Sequence, residues 1–148
     1  MKAHYLGHVV FYVKDLTRSL EFYRDLVGFQ EIGRTLGGKA VALTSGWTHH
    51  ELLLIEVGDA PPPPTGHRRG FYHIGIKVGD RLEELRKAKE ELEQAGVVIS
   101  GMSDHVVSQS LYLHDPDGNE VEIYVDSPAM DWKKNPMAVL SPTKPLHL

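Results

Sequence analysis

The chain reads as an α+β protein made of two tandem βαβββ modules, with mixed sheets framing one cleft. Three observations predict this. Each half opens with a strand-like run that contains a histidine, passes an aspartate and enters a helix-like segment ending in glycine. His8 and His73, Val13 and Val78, and Asp15 and Asp80 all repeat at one offset, 65 residues, as read from their numbers. Between the halves lies "GDAPPPPTGHRRG", whose four consecutive prolines make a stiff, extended connector. A repeat of this kind is one supersecondary unit used twice.

The elements follow in order. His4 to Val13 ("HYLGHVVFYV") is rich in β-branched and aromatic residues and predicts a strand. Asp15 to Val27 places Leu16, Leu20, Tyr23 and Val27 at helical spacing, with Asp15 or Thr17 to cap the start and Gly28 to end it. Three strands follow, Phe29 to Leu36, Lys39 to Thr44 and His50 to Val57, with Gly37-Gly38 as a two-residue turn. Phe71 to Val78 opens the second module. Arg81 to Gln94 is a charged amphipathic helix with Leu82, Leu85 and Leu92 on its apolar side, closed by Gly96. Val97 to Met102, Gln109 to His114 and Asn119 to Val125 are its strands. The last two flank "DPDG", where Pro116 presets the bend and Gly118 tolerates positive φ. The expected organisation is one domain, 1–126, made of module one (1–58), a linker (59–70) and module two (71–126). An extended tail, 127–148, carries four prolines.

Composition narrows the function classes. The chain has 148 residues, 41% hydrophobic and 24% charged, with a formal net charge of −4, the profile of an ordinary soluble domain. That charge gives no reason to expect nucleic-acid binding, and no basic run suggests a membrane-surface patch. No apolar run approaches the roughly 20 residues that span a bilayer. The N-terminal "MKAHYLGHVV" lacks the apolar core of a signal peptide, so a cytoplasmic location is expected. With no cysteine, the chain has no disulfide, thiolate metal site or cysteine nucleophile. Nine histidines are many for this length, and a histidine inside an apolar strand needs a hydrogen-bond partner or a metal.

Strand alternation decides which side chains share a face. His8 points the same way as Val10 and Tyr12, His73 shares a face with Gly75 and Lys77, and Glu122 with Glu120 and Tyr124. A lone strand histidine is more often a satisfied structural residue than a ligand. Two histidines at equivalent positions of a repeat are hard to explain by packing alone. His8, His73 and Glu122 have the composition of a 2-His-1-carboxylate triad, which leaves positions open on a divalent metal and with Fe(II) suits oxygen chemistry. The expected cleft is therefore metal-binding.

At these residues, and over positions 4 to 126, the chain resembles the vicinal oxygen chelate (glyoxalase/bleomycin resistance/dioxygenase) superfamily. The resemblance rests on the paired repeat, the histidines of "GHVVFYV" and "FYHIGIKV", and "DPDGNEVEIY". Function varies widely within such a superfamily. Other residues are similar to those of single-domain type I extradiol (catechol 2,3-) dioxygenases. "THHELLLIE" supplies His50, with His49 beside it, and "SDHVVSQSLYLHDPDGN" supplies His105 and Tyr112.

The resemblance implies Fe(II), with Mn(II) as the second choice, held by His8, His73 and Glu122. It implies a small catechol-type aromatic and O2 as substrates, with His50 as base, His105 as hydrogen-bond and proton donor toward oxygen, and Tyr112 as donor to a substrate oxygen. A homodimer or higher homo-oligomer is expected, without nucleic-acid or membrane partners. Three other readings compete. A glyoxalase I-like lyase or isomerase would use a fourth ligand from "ELLLIEV", where Glu56 is the available carboxylate beside the leucines; a fosfomycin-type transferase would draw on Arg68, Arg69 and Lys77. A non-catalytic antibiotic-binding protein would carry no metal triad.

Overall fold

Both halves of the chain lay their strands in the order first, fourth, third, second, the order a repeated βαβββ unit dictates. The computed structural model describes residues 1–148 and divides them into two units, Met1–Pro64 and Thr65–Leu148. In the first, strands β1 (Val9–Val13), β2 (Gln30–Thr35), β3 (Ala40–Thr44) and β4 (Leu52–Glu56) form the sheet β1-β4-β3-β2. β1 runs parallel to β4, and the other pairs are antiparallel. In the second, β5 (His73–Gly79), β6 (Gly101–Asp104), β7 (Ser108–His114), β8 (Glu120–Asp126) and β9 (Lys144–Pro145) form the sheet β5-β8-β7-β6-β9. Here β5 runs parallel to β8. Two mixed sheets with few helices make this an α+β fold, as the sequence predicts. No helix is long and apolar enough to cross a membrane.

In each unit, alternation splits the sheet into a helix-covered face and an opposite face. Phe11 and Val13 of β1, with Leu52 and Leu54 of β4, are buried beneath the first helix, α1 (Leu16–Leu20), while Val10 and Tyr12 are exposed. In the second unit Leu111, Leu113, Val121, Ile123 and Val125 are buried on the side covered by α2 (Leu82–Gln94). Leu85 and Leu92 descend from that helix, and Leu85 is completely buried. Each such side chain contributes about 1.5–3 kcal/mol relative to exposure. The opposite face of this sheet carries Ser110, Tyr112, Glu120, Glu122 and Tyr124.

Several boundaries differ from expectation. β1 begins at Val9 rather than His4: Val9 is the first residue in register with β4, opposite Leu52, with its N–H donating to Glu51 O at 2.8 Å, and His8 stands one residue ahead of the strand. The expected helix from Asp15 to Val27 is two helical segments: α1, then a wider π turn over Glu21–Leu26 in which Val27 N–H donates to Phe22 O at 2.9 Å. The change accompanies burial of both Phe22 and Tyr23, whose rings meet edge to face at 4.9 Å. The cap is Asp15, whose carboxylate accepts from Arg18 N–H at 2.9 Å. Gly37-Gly38 is not a simple two-residue turn but part of a 3-10 turn over Leu36–Gly38, with Leu36 also at positive φ. The strand expected from Val97 starts only at Gly101, where pairing with Tyr112 begins, and Val98 is exposed. The tail is not wholly extended. It forms a 3-10 turn at Pro136–Leu140 and adds β9 to the edge of β6.

Candidate active site

The second unit gathers four of the sequence-predicted residues on one sheet face. β8 places Glu122 directly opposite Tyr112 of β7 and beside Gly75 of β5. A Cβ at Gly75 would stand 3.4 Å from Glu122 Oε2 and 3.4 Å from the Tyr124 ring, so the glycine makes room for both side chains. His73, at the start of β5, brings Nε2 to 3.3 Å from Glu122 Oε2. The other carboxylate oxygen, Oε1, accepts from the Tyr112 hydroxyl at 3.2 Å. That hydroxyl also lies 2.6 Å from His105 Nε2. The β6–β7 turn carries His105, and its ring reaches back along β7 to Tyr112.

A phenol has one proton, which settles the tautomer when Tyr112 donates to Glu122. His105 then carries its own proton on Nε2 and donates to the phenol oxygen. Burial, with the adjacent Glu122 charge, pushes the Tyr112 hydroxyl up to about 12. It stays protonated at neutral pH and acts as a donor rather than a base.

Glu120 is a residue that sequence reasoning missed. It pairs in register with His73, and its Oε1 lies 3.2 Å from His73 Nδ1. A proton held on Nδ1 by this carboxylate leaves the Nε2 lone pair free, the arrangement that orients metal-binding histidines. The signal was there: Glu120 is two residues from Glu122 and so on its face. The Tyr72 hydroxyl also binds Glu120, and that hydrogen bond is the largest influence raising the Tyr72 hydroxyl.

The first unit gathers His8, His49 and His50. The His8 and His50 rings lie 4.6 Å apart, centroid to centroid, and the Nδ1 atoms of His49 and His50 are 2.6 Å apart. The bend before β4 turns His50 onto His8. Desolvation, then the neighbouring His49 and His8, lower the basicity of His50 and favour its neutral form. Glu56 belongs elsewhere. Its Oε2 accepts from Leu16 N–H at 3.0 Å, which ties its carboxylate to the start of α1 on the covered side of the sheet, away from the Val10 and Tyr12 face.

No three histidine, aspartate or glutamate side chains converge closely enough to hold a metal ion. The pair His73 and Glu122 nevertheless fits two neighbouring ligands of one ion. Ligand atoms bound at about 2.1 Å and at right angles stand about 3 Å apart, close to the observed separation. His114 is exposed at the end of β7, and Asp115 organises the "DPDG" turn by accepting from Asp117 and Asn119 N–H at 3.0 and 2.8 Å.

Residues 5–123 match the family described as the Glyoxalase/Bleomycin resistance protein/Dioxygenase superfamily. A catechol-2,3-dioxygenase of Bacillus subtilis (strain 168) is 37% identical over 131 residues, which cover 88% of this chain and 45% of that protein. The chain thus spans less than half the length of this relative. A glutathione transferase FosA of Serratia marcescens is 29% identical over 122 residues, covering 82% of this chain and 81% of that protein. In the solved structure of a glyoxalase/dioxygenase from Nostoc punctiforme the same fold recurs, with a TM-score of 0.72 at 20% identity over 83% of this chain and 91% of that one.

Proposed function

The chain belongs to the Glyoxalase/Bleomycin resistance protein/Dioxygenase superfamily, and from that premise we propose that it is a metal-dependent extradiol dioxygenase that opens a catechol-type ring with O2. The observation that carries this reading is the connected set His105–Tyr112–Glu122–His73 on one sheet face. A carboxylate and an imidazole suited to one ion are joined there to two groups suited to handling oxygen atoms. In this reading His73, Glu122 and His8 hold the metal, and Glu120 fixes the His73 tautomer. Fe(II), or Mn(II) as second choice, would when bound supply the redox chemistry between catechol and O2.

The chain's own groups do the rest. His50, favoured in its neutral form, accepts a proton from a catechol hydroxyl. When substrate binds, Tyr112 turns its single hydroxyl proton from Glu122 Oε1 to a substrate oxygen. His105 Nε2 holds the proton that oxygen needs as it gains negative charge.

A fosfomycin-type transferase is the second reading, favoured by the near full-length match to the Serratia marcescens protein. Against it, two of the three Lys77 ammonium N–H groups are engaged by Asp80 and Asp126 at 2.5 and 2.6 Å, so its charge is already balanced by carboxylates rather than offered to a phosphonate.

Metal analysis of purified variants tests the proposal. His8→Ala, His73→Ala and Glu122→Ala are expected to lose bound iron or manganese. His50→Ala and His105→Ala are expected to keep it and lose turnover of catechols. Full metal retention by all three ligand variants would overturn the assignment.

A further inference from the structure

The turn that carries His105 is held in an unusual shape. Val106 lies at φ 72°. A β-branched residue rarely adopts this left-handed conformation, and such outliers persist only where the surroundings enforce them. The enforcing contacts come from three directions. The Asp104 carboxylate accepts from Val106 N–H at 2.7 Å. His105 N–H donates to Ser108 O at 2.8 Å, closing the turn. Beyond it, Ser127 N–H donates to Val107 O at 2.8 Å, and β9 pairs Lys144 with Asp104 itself. The peptide before Val106 therefore cannot rotate without breaking the Asp104 bond. That rotation would swing the neighbouring His105 ring away from the Tyr112 hydroxyl, 2.6 Å from its Nε2.

We propose that Asp104 is a positioning residue, whose carboxylate locks the strained Val106 turn and so aims His105 at Tyr112 and the oxygen-handling end of the site. This rests on the reading above in which His105 acts in turnover. Glycine has no Cβ penalty at positive φ, so a residue at 106 needs help from Asp104 only because it is valine. The asparagine side chain has an oxygen in the same place and can accept the same N–H.

The test is a set of variants read by kinetics, by metal content and by the imidazole nitrogen NMR of His105. Asp104→Ala is expected to lower kcat about tenfold or more, as displaced catalytic groups do. Its KM, metal content and melting temperature should stay close to those of the parent, and the His105–Tyr112 hydrogen-bond signature should disappear. Asp104→Asn should restore both kcat and signature. Adding Asp104→Ala to His105→Ala should cause no further loss, because both changes act through one imidazole.

Two results would overturn the proposal while leaving the function intact: unchanged kcat and signature in Asp104→Ala while His105→Ala is inactive, or full additivity in the double variant. A fully active His105→Ala would overturn the functional reading and this inference with it. The NMR signature separates the two failures, since it reads the turn without any substrate.

Discussion

Replacing Tyr112 with phenylalanine removes one oxygen atom and two hydrogen bonds, at 2.6 Å to His105 and 3.2 Å to Glu122. With its hydroxyl pushed up to about 12, Tyr112 stays protonated at pH 8. Its role is that of a fixed donor, and loss of such a donor costs about 10²–10³ in kcat, or about 2.7–4 kcal/mol. The fold should tolerate the change. Two hydrogen bonds at about 0.5–1.5 kcal/mol each are a modest loss against a typical stability of about 5–15 kcal/mol. Metal should be retained, because the oxygen facing His73 is Oε2 and the one facing Tyr112 is Oε1. Steady-state kinetics on a cleaved catechol, with metal content measured in parallel, would read these effects. A fall in kcat, a KM within about threefold of the parent and an unchanged metal load are expected. Undiminished kcat would refute the donor role. Loss of metal would show that Tyr112 acts by shaping Glu122 instead.

Two further predictions concern the frame around the site. Gly75→Val should expel metal while leaving the sheet folded, because a Cβ there already stands 3.4 Å from Glu122 Oε2 and the Tyr124 ring; a variant with parental metal affinity would show that the gap is not needed. Glu84 caps α2 by accepting from Asp80 and Arg81 N–H at 2.8 and 3.0 Å. The Asp80 backbone N–H, followed by Arg81, holds its carboxyl below the usual range. A depressed carboxyl stabilises the fold above its ordinary value of about 4.3, and this stabilisation is lost as pH falls through the lower folded value. Glu84→Gln should therefore melt below the parent at pH 7, with the gap closing toward pH 3. Parallel melting curves across that range would contradict this.

Much of the fold was legible because the chain states it twice. The 65-residue offset aligns His8 with His73 and carries over to the sheets, where β1 beside β4 repeats as β5 beside β8. The face that Glu122 shares with Glu120 and Tyr124 was legible because strand alternation is strict; that Tyr112 stands directly opposite Glu122 depends on the β7–β8 register. The hidden features depend on partners distant in sequence. Glu56 reads as a free carboxylate until α1 folds over it and offers Leu16 N–H. The π turn accompanies the joint burial of Phe22 and Tyr23, which spacing alone does not reveal. Val106 falls in the predicted connection between two strands, where nothing in the sequence marks a left-handed residue; the closed turn around Asp104 holds its φ positive. Glu120 was passed over because a carboxylate that orients a ligand has no spacing signature of its own; its pairing with His73 supplies it.

The central claim is ring opening by O2 at a metal held by His8, His73 and Glu122. Its most direct test is anaerobic loading with Fe(II), addition of a panel of catechols, and admission of labelled dioxygen. The expected result is about one metal per chain and a yellow product, cleaved beside the two hydroxyls, that carries both labelled atoms. A metal-loaded protein that leaves every catechol intact, or a product with one labelled atom or none, would contradict it.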